Sequence, residues 1–228
     1  DAALGLDQEA LDRIFARYVR GLAWPSYGSF EEPEDIARRL TDHREDEDGA
    51  NFRPALSPDG SQLAFFSDRD GLMSLYLMSA IDGRVLRRLA RGERASRFES
   101  LHPYRSRPTF SPDGREVAFV ARSGNAETLH TVAVATGEIT RDVRLGLDGA
   151  SSPAWSPDGR RIALVGTVAG RTDLYLLDLA PGGGPEPSAA GPVLQRVTDD
   201  AGDESGPAWS PDGRRLAFAH NPVAEVRY

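Results

Sequence analysis

The sequence predicts an all-β fold, a partial β-propeller of about three full four-stranded blades plus a truncated fourth, with a short α-helical N-terminal segment. The first observation is a repeat: Ser-Pro-Asp-Gly occurs at 57–60, 111–114, 156–159 and 210–213. The second is its spacing of 54, 45 and 54 residues, which is typical of propeller blades. The third is the abundance of Gly (23) and Pro (16), which suits many short strands joined by turns.

Each repeat predicts one β-hairpin. Pro presets φ for the second position of a tight turn, Asp can bond back to the backbone, and Gly accepts a positive φ. Proline and one or two apolar residues precede the turn, as in Pro153-Ala154-Trp155. An apolar run such as 162–165 follows it. Because this run is apolar on both faces, we expect its strand to lie between neighbouring sheets.

A third strand follows at a fixed offset, and a more polar fourth strand follows the third. Leu75, Leu129 and Leu174 each lie 18 residues after the serine of their repeat. The same offset in the fourth copy falls on Tyr228, the last residue, which predicts a two-stranded blade with an unpaired edge. We therefore expect either a part of a longer polypeptide or a sheet that something else completes. In an alternative, Arg38–Thr41 closes the ring as an outer strand.

Residues 1–40 are predicted to form a helical segment, and residues 41–228 the blades. Apolar residues at helical spacing, from Leu11 to Leu22, predict an amphipathic helix from Asp7 to Arg20 that Gly21 ends. A second short helix is predicted to begin at Pro33. Two placements stay open: the helices pack on the propeller, or they are the tail of an upstream domain.

Composition excludes several classes of protein and site. A net charge of −8 argues against a nucleic-acid binder, and the absence of cysteine removes disulfides and thiolate chemistry. No apolar run approaches 18 residues, so we expect no membrane span. The four histidines form no H-E-x-x-H motif, although a site assembled from different blades stays open, and no G-x-S-x-G motif occurs. We therefore predict no catalytic residue, no metal ligand and no cofactor.

Three loops are candidate binding surfaces. The acidic loops at 41–50 and 198–206 both precede the first strand of a blade, so both should emerge on one face of the disc. The loop at 91–107 is basic and contains aromatic residues, the types enriched in binding hot spots. The loop at 198–206 is acidic and could attract a cation or a basic partner. The predicted partner-binding residues are Arg94, Arg97, Phe98, Tyr104, Arg105, Asp199, Asp200, Asp203 and Glu204.

The four P-x-[FWL]-S-P-D-G-x-x-[LIV]-A-[FL] copies resemble the TolB-type propeller repeat, which also occurs in tricorn-like and dipeptidyl-peptidase-like propellers. The resemblance covers roughly Asn51 to Asn221. A narrower likeness, carried by "ARRLTDHRED" and "RGERASRFESLHPYRSRPTFSPDG", is to large bacterial envelope proteins with a zinc-peptidase-like domain ahead of such a propeller. No peptidase domain is present in these residues.

The resemblance implies a periplasmic or cell-envelope location and binding of protein partners. The predicted function is a non-catalytic protein-binding or scaffolding module of the bacterial cell envelope. Two alternatives stay open. One is an accessory subunit of a larger membrane-associated periplasmic assembly, and the other is the propeller part of a longer peptidase whose catalytic domain lies outside this chain.

Overall fold

The computed structural model describes residue 5 and residues 7–27, 36–41, 49–92, 98–179 and 192–222, with the backbone alone at Glu9 and Tyr27. Contacts divide the chain into two compact units, Asp1–Leu40 and Thr41–Tyr228. No helix in the described ranges combines the length and the apolar character needed to cross a membrane.

The first unit contains helix α1 (Gln8–Ala23), followed by a 3-10 turn at Pro25–Tyr27. Asp7 begins the helix, since its carboxylate accepts a hydrogen bond from the Ala10 amide at 2.7 Å. The expected end at Gly21 is wrong, because the helix continues to Ala23. A single glycine costs a helix only about 1 kcal/mol and does not interrupt its hydrogen bonds. The predicted second helix begins outside the described residues.

The described residues of the second unit form three four-stranded antiparallel sheets, each paired in chain order, and one two-stranded sheet. The first sheet comprises β1 (Asn51–Leu56), β2 (Gln62–Ser67), β3 (Ser74–Ser79) and β4 (Val85–Arg91). The second comprises β5 (Thr109–Phe110), β6 (Glu116–Ser123), β7 (Ala126–Ala133) and β8 (Ile139–Arg144). The third comprises β9 (Gly149–Trp155), β10 (Arg161–Val168), β11 (Arg171–Asp178) and β12 (Val193–Arg196).

The fourth sheet pairs β13 (Asp203–Trp209) with β14 (Leu216–Asn221). Three four-stranded blades, and a fourth of which two strands lie in the described residues, confirm the predicted partial propeller. The alternative in which Arg38–Thr41 forms a closing strand is wrong, since these residues adopt no strand conformation.

Each Ser-Pro-Asp-Gly turn is held by the same side-chain hydrogen bonds. In the first copy, Ser57 Oγ donates to Asp59 Oδ1 at 2.6 Å, and Asp59 Oδ1 also accepts from the Ser61 amide at 3.1 Å. Gly60 has a φ of 73°, which explains the glycine at this position. The hydrogen bonds from Ser57 and Ser61 lower the pKa of Asp59 to about 2. The pKa values of Asp113, Asp158 and Asp212 are lowered for the same reason.

The second strands of the three complete blades lie in the core. The alanines that follow their turns are fully buried, which allows neighbouring sheets to approach closely; they are Ala64, Ala118 and Ala163. The fourth blade differs, because Phe218 on β14 is 41% exposed while its counterpart Phe65 on β2 is 3% exposed. Within the described part of the chain, no further sheet covers β14.

Candidate functional site

The first strands of the blades lie side by side in chain order, with contacts between β1 and β5, β5 and β9, and β9 and β13. They surround a cleft of about 210 Å³. The cleft is lined by Arg53, Arg105, Arg107, Ser152, Pro153, Gly206 and Pro207. All but Arg105 lie at, or directly before, the proline that precedes a Ser-Pro-Asp-Gly turn. The repeat therefore places equivalent positions of four blades around one concavity.

A β-bulge recurs at this position and shapes the cleft. Arg53, Ser152 and Gly206 have φ angles of 51°, 52° and 58°, all in the left-handed region. The strand register shifts at the same places in β1, β9 and β13. Bulges redirect side chains and are frequent beside functional sites. Two non-glycine residues hold this unfavourable conformation because the flanking hairpin pairing enforces it.

Three arginines give the cleft a positive charge in a chain whose net charge is −8. Arg53, Arg105 and Arg107 are exposed. Arg53 donates to the Tyr104 carbonyl at 2.6 Å, and the Tyr104 ring meets Phe52 edge to face at 4.9 Å. Among the described residues, none of the three guanidinium groups is paired with a carboxylate. The cleft can therefore accept an external carboxylate in bidentate geometry.

The segment that carries Arg105 is fixed to the propeller. Its start pairs with the end of β6, since the Glu99 amide donates to the Arg122 carbonyl and the Arg122 amide to the Ser100 carbonyl, both at 2.8 Å. At its end, Ser106 is buried and its Oγ accepts from the Ser152 amide of β9 at 3.2 Å. These contacts fix the backbone that carries Arg105, which lowers the cost of ordering the segment on binding.

A buried acid anchors the middle of the same segment. His102 Nε2 lies 3.0 Å from Glu127 Oε2, and the Glu127 side chain is 5% exposed. Leu101 beside it is 2% exposed. The predicted loop is therefore a packed part of the second blade over 98–107, with its polar tip at Tyr104 and Arg105.

Of the predicted basic-loop residues, Arg105 lines the cleft, and Tyr104 adjoins it through the hydrogen bond that its carbonyl accepts from Arg53. Arg94 and Arg97 lie outside the described residues. The structure places Phe98 in the core, contrary to its prediction as a partner-binding residue. It is 6% exposed and packs edge to face on Phe119, with ring centroids 5.5 Å apart, so its aromatic surface stabilises the core. The sequence of the loop could not show which of its aromatic residues turns inward.

Arg53 and Arg107 were not among the sequence-predicted site residues. Each stands directly before the proline of a repeat. Arginine at that position in two successive copies is the signal that could have identified them. The signal becomes meaningful only when the copies are known to surround one cleft.

The acidic loop at 198–206 is largely paired within the protein. Asp199 lies 2.9 Å from Arg171 and 2.8 Å from Arg196. Arg196 also contacts the buried Asp173 at 2.5 Å, and this carboxylate raises the pKa of Arg196. Asp203 is exposed. Glu204 is buried, so it belongs to the interior instead of the outer surface of the loop.

A serine, a histidine and an aspartate lie in line on the second blade. Ser123 Oγ is 3.1 Å from His130 Nε2, and His130 Nδ1 contacts Asp142 Oδ1. The His130 ring is 1% exposed, stacked on Phe119 with centroids 5.4 Å apart and met by the edge of Phe98 at 4.8 Å. A catalytic imidazole must reach the substrate as well as the serine. These residues instead join β6, β7 and β8 through a buried polar network.

Comparisons with known proteins agree with this architecture. A family model described as "TolB beta propeller domain" matches residues 98–222. The chain is 31% identical over 159 residues to a Protein TolB homolog of Chlorobium chlorochromatii, a match that covers 70% of this chain and 31% of that protein. It is 26% identical over 169 residues to the uncharacterized peptidase YuxL of Bacillus subtilis, covering 74% of this chain and 21% of that one.

The fold is similar to that of TolB from Acinetobacter baumannii, with a TM-score of 0.61 and 19% identity over 78% of this chain and 39% of that chain. The predicted resemblance to TolB-type propellers is thereby confirmed. The chain spans about a third or less of the length of the curated relatives that it matches.

Proposed function

Because the chain belongs to the TolB β-propeller domain family, we propose that it is a non-catalytic protein-binding module of the bacterial cell envelope, in the periplasm or associated with the envelope. Its binding site is the cleft at the first strands, and its ligand is an acidic segment of a partner protein. A rigid disc of sheets with loops around a cleft is a suitable platform for such contacts.

The observation that carries this proposal is the convergence of Arg53, Arg105 and Arg107 on one concavity. A second observation strengthens the proposal: an acidic side chain elsewhere in the protein, Asp199, is already paired with Arg171 and Arg196. Arginine and tyrosine are the residue types enriched in binding hot spots, and Tyr104 is 67% exposed beside the cleft. The overall charge of −8 repels acidic partners at long range, so the local positive field has to select them.

The test is binding of a fluorescein-labelled hexaglutamate peptide, followed by fluorescence anisotropy. We expect the double variant Arg105→Ala/Arg107→Ala to bind at least about tenfold more weakly, because each charge-assisted hydrogen bond contributes about 1.5 kcal/mol or more. The matched control is Arg160→Ala/Arg214→Ala, which removes two exposed arginines that directly follow Ser-Pro-Asp-Gly turns. The control should bind as the wild type does.

Binding should also weaken as salt rises to about 1 M, where the screening length is about 3 Å. Equal loss in the two double variants would mean that total charge, and not the cleft, governs binding. Failure of the wild type to prefer hexaglutamate over hexaglutamine would contradict the proposal outright.

The scaffolding and accessory-subunit roles are finer versions of the same proposal. In both, the acidic segment belongs to a component of a larger membrane-associated assembly. Co-purification of a partner with this chain from native envelope extracts, at fixed stoichiometry, would support them if substitution of Arg105 and Arg107 abolishes it. Loss of the partner in the Arg160→Ala/Arg214→Ala control as well would contradict them.

The similarity to the uncharacterized peptidase YuxL favours a second candidate, in which this propeller serves a longer peptidase. The mass of the native polypeptide, together with the sequence that flanks these residues in it, tests this candidate. A native chain with a peptidase motif beyond these residues would support this candidate, and a native chain without one would contradict it.

A further inference from the structure

Two carboxylates and an imidazole lie close together where the loop before the fourth blade joins its strands. His220 Nδ1 on β14 lies 3.3 Å from Glu204 Oε1 on β13 and 3.7 Å from Asp200 Oδ1 in the preceding loop. The three ligand atoms lie within 4.8 Å of one another. We propose that Asp200, Glu204 and His220 bind one divalent first-row transition-metal cation, Zn²⁺ or Mn²⁺.

The burial of Glu204 is the observation that points to a ligand. None of its side chain is exposed. Its Oε1 faces His220, whereas its Oε2 is buried and has no hydrogen-bond partner among the described residues. An unsatisfied buried carboxylate oxygen is costly, and a cation beside it would remove that cost.

Two of the three separations suit a metal centre. Two ligand atoms about 2.1 Å from one zinc ion at a tetrahedral angle lie roughly 3.4 Å apart. The measured separations of 3.3 and 3.7 Å bracket that value. Carboxylate and imidazole ligands together suit Zn²⁺ and Mn²⁺ better than Ca²⁺ or Mg²⁺, which prefer oxygen ligands.

The other blades show that the fold does not require these residues. The equivalent cross-strand pair is Asn51 with Ser67 in the first blade and Ala150 with Gly166 in the third. The pair in the fourth blade, Glu204 with His220, occupies the same register. Because an alanine and a glycine serve the same structural position, the acid and imidazole of the fourth blade need a separate explanation.

The backbone of the preceding loop lies close to the imidazole. Gly202 packs against the His220 ring so closely that a Cβ on Gly202 would collide with Cε1. The Gly202 amide donates to Asp200 Oδ1 at 3.0 Å, which orients that carboxylate. Arg171 donates to the Asp200 carbonyl at 2.8 Å and fixes the loop from the other side.

The site is accessible to an ion from solvent. The side chains of Asp200 and His220 are 54% and 37% exposed, and Glu204 forms the buried floor. Three protein ligands leave a coordination position for water or for a donor group of a partner. The proposal does not depend on the arginine cleft, and either can fail without the other.

The experiment uses the untagged chain after dialysis against EDTA, titrated calorimetrically with ZnCl₂ and, separately, with MnCl₂. We expect saturation at one equivalent for at least one of the two ions. Glu204→Gln and His220→Asn should each weaken binding by about 100-fold or more, since even the partners of metal ligands contribute 10- to 100-fold. The matched control is Asp203→Asn, which removes a neighbouring exposed carboxylate and should leave affinity within about twofold.

Cobalt substitution gives a second readout, because an imidazole-bound Co²⁺ absorbs in the visible range and the His220→Asn variant should lose that band. Circular dichroism confirms that each variant is folded, and His220→Asn alone decides if Glu204→Gln does not fold. Absence of saturable binding in the wild type would overturn the proposal. So would equal affinity in the wild type and His220→Asn, which would leave Glu204 and His220 as an ion pair only.

Discussion

The indole N–H of Trp209 in the fourth blade donates to the Ala154 carbonyl in the third, 3.0 Å away. The Arg161 guanidinium of the third blade lies over the same ring, 5.2 Å from its centroid. One side chain thus joins two sheets through a hydrogen bond and a cation–π contact. This hydrogen bond is one of the contacts that hold the fourth blade against the third.

Trp209→Phe should lower the free energy of unfolding by about 1 kcal/mol or more, because an aromatic ring remains while the indole N–H and its hydrogen bond are lost. Urea denaturation measures the change. Trp24→Phe is the control, since Trp24 is 62% exposed in the first unit and should leave stability unchanged. Equal stability of Trp209→Phe and wild type would mean that the inter-blade hydrogen bond contributes nothing.

Phe98→Ala should destabilise the fold by about 3–5 kcal/mol, the usual cost of removing a buried aromatic ring. Phe98 is 6% exposed and packs on Phe119 and His130. Tyr104→Ala removes a 67% exposed ring from the same segment and should cost far less. Thermal unfolding of the two variants makes the comparison. A midpoint for Phe98→Ala near that of Tyr104→Ala would contradict the burial of Phe98.

The Ser-Pro-Asp-Gly aspartates predict loss of stability in acid. The hydrogen bonds from Ser57 and Ser61 lower the pKa of Asp59 from 3.8 to about 2 in the folded state. A carboxyl with a lowered pKa stabilises the fold above pH 4, and this stabilisation is lost as the pH falls through about 2. Asp59→Asn should therefore lose less stability than the wild type between pH 4 and pH 2. Urea titrations at several pH values across this window test the prediction. If the free energy of unfolding falls equally with pH in the variant and the wild type, Asp59 does not have this role.

His102→Ala should destabilise the fold by about 1–3 kcal/mol, since it leaves the buried Glu127 carboxylate without its histidine partner. Glu127→Gln should cost less, because an amide oxygen can still accept from the imidazole and no charge is buried. Chemical denaturation of both variants gives the comparison. A larger loss in Glu127→Gln than in His102→Ala would show that the acid stabilises through other contacts.

Much of this architecture could be predicted from the sequence because turn formation is local. The serine, aspartate and glycine of each repeat contact one another within a few residues, so their spacing alone predicts four hairpins and their order. The end of α1 could not be predicted from Gly21, since one glycine weakens a helix that the neighbouring turns still support.

The sequence by itself thus determined the hairpins and the blade order. Only the tertiary structure decided that Phe98 turns inward while Tyr104 turns outward, and that Arg53, Arg105 and Arg107 share one cleft. It also decided that Glu204 is buried against His220. The contacts of the cleft join residues far apart in the chain, as Arg53 and Tyr104 are. They depend on how sheets pack around the first strands, and no local pattern encodes that packing.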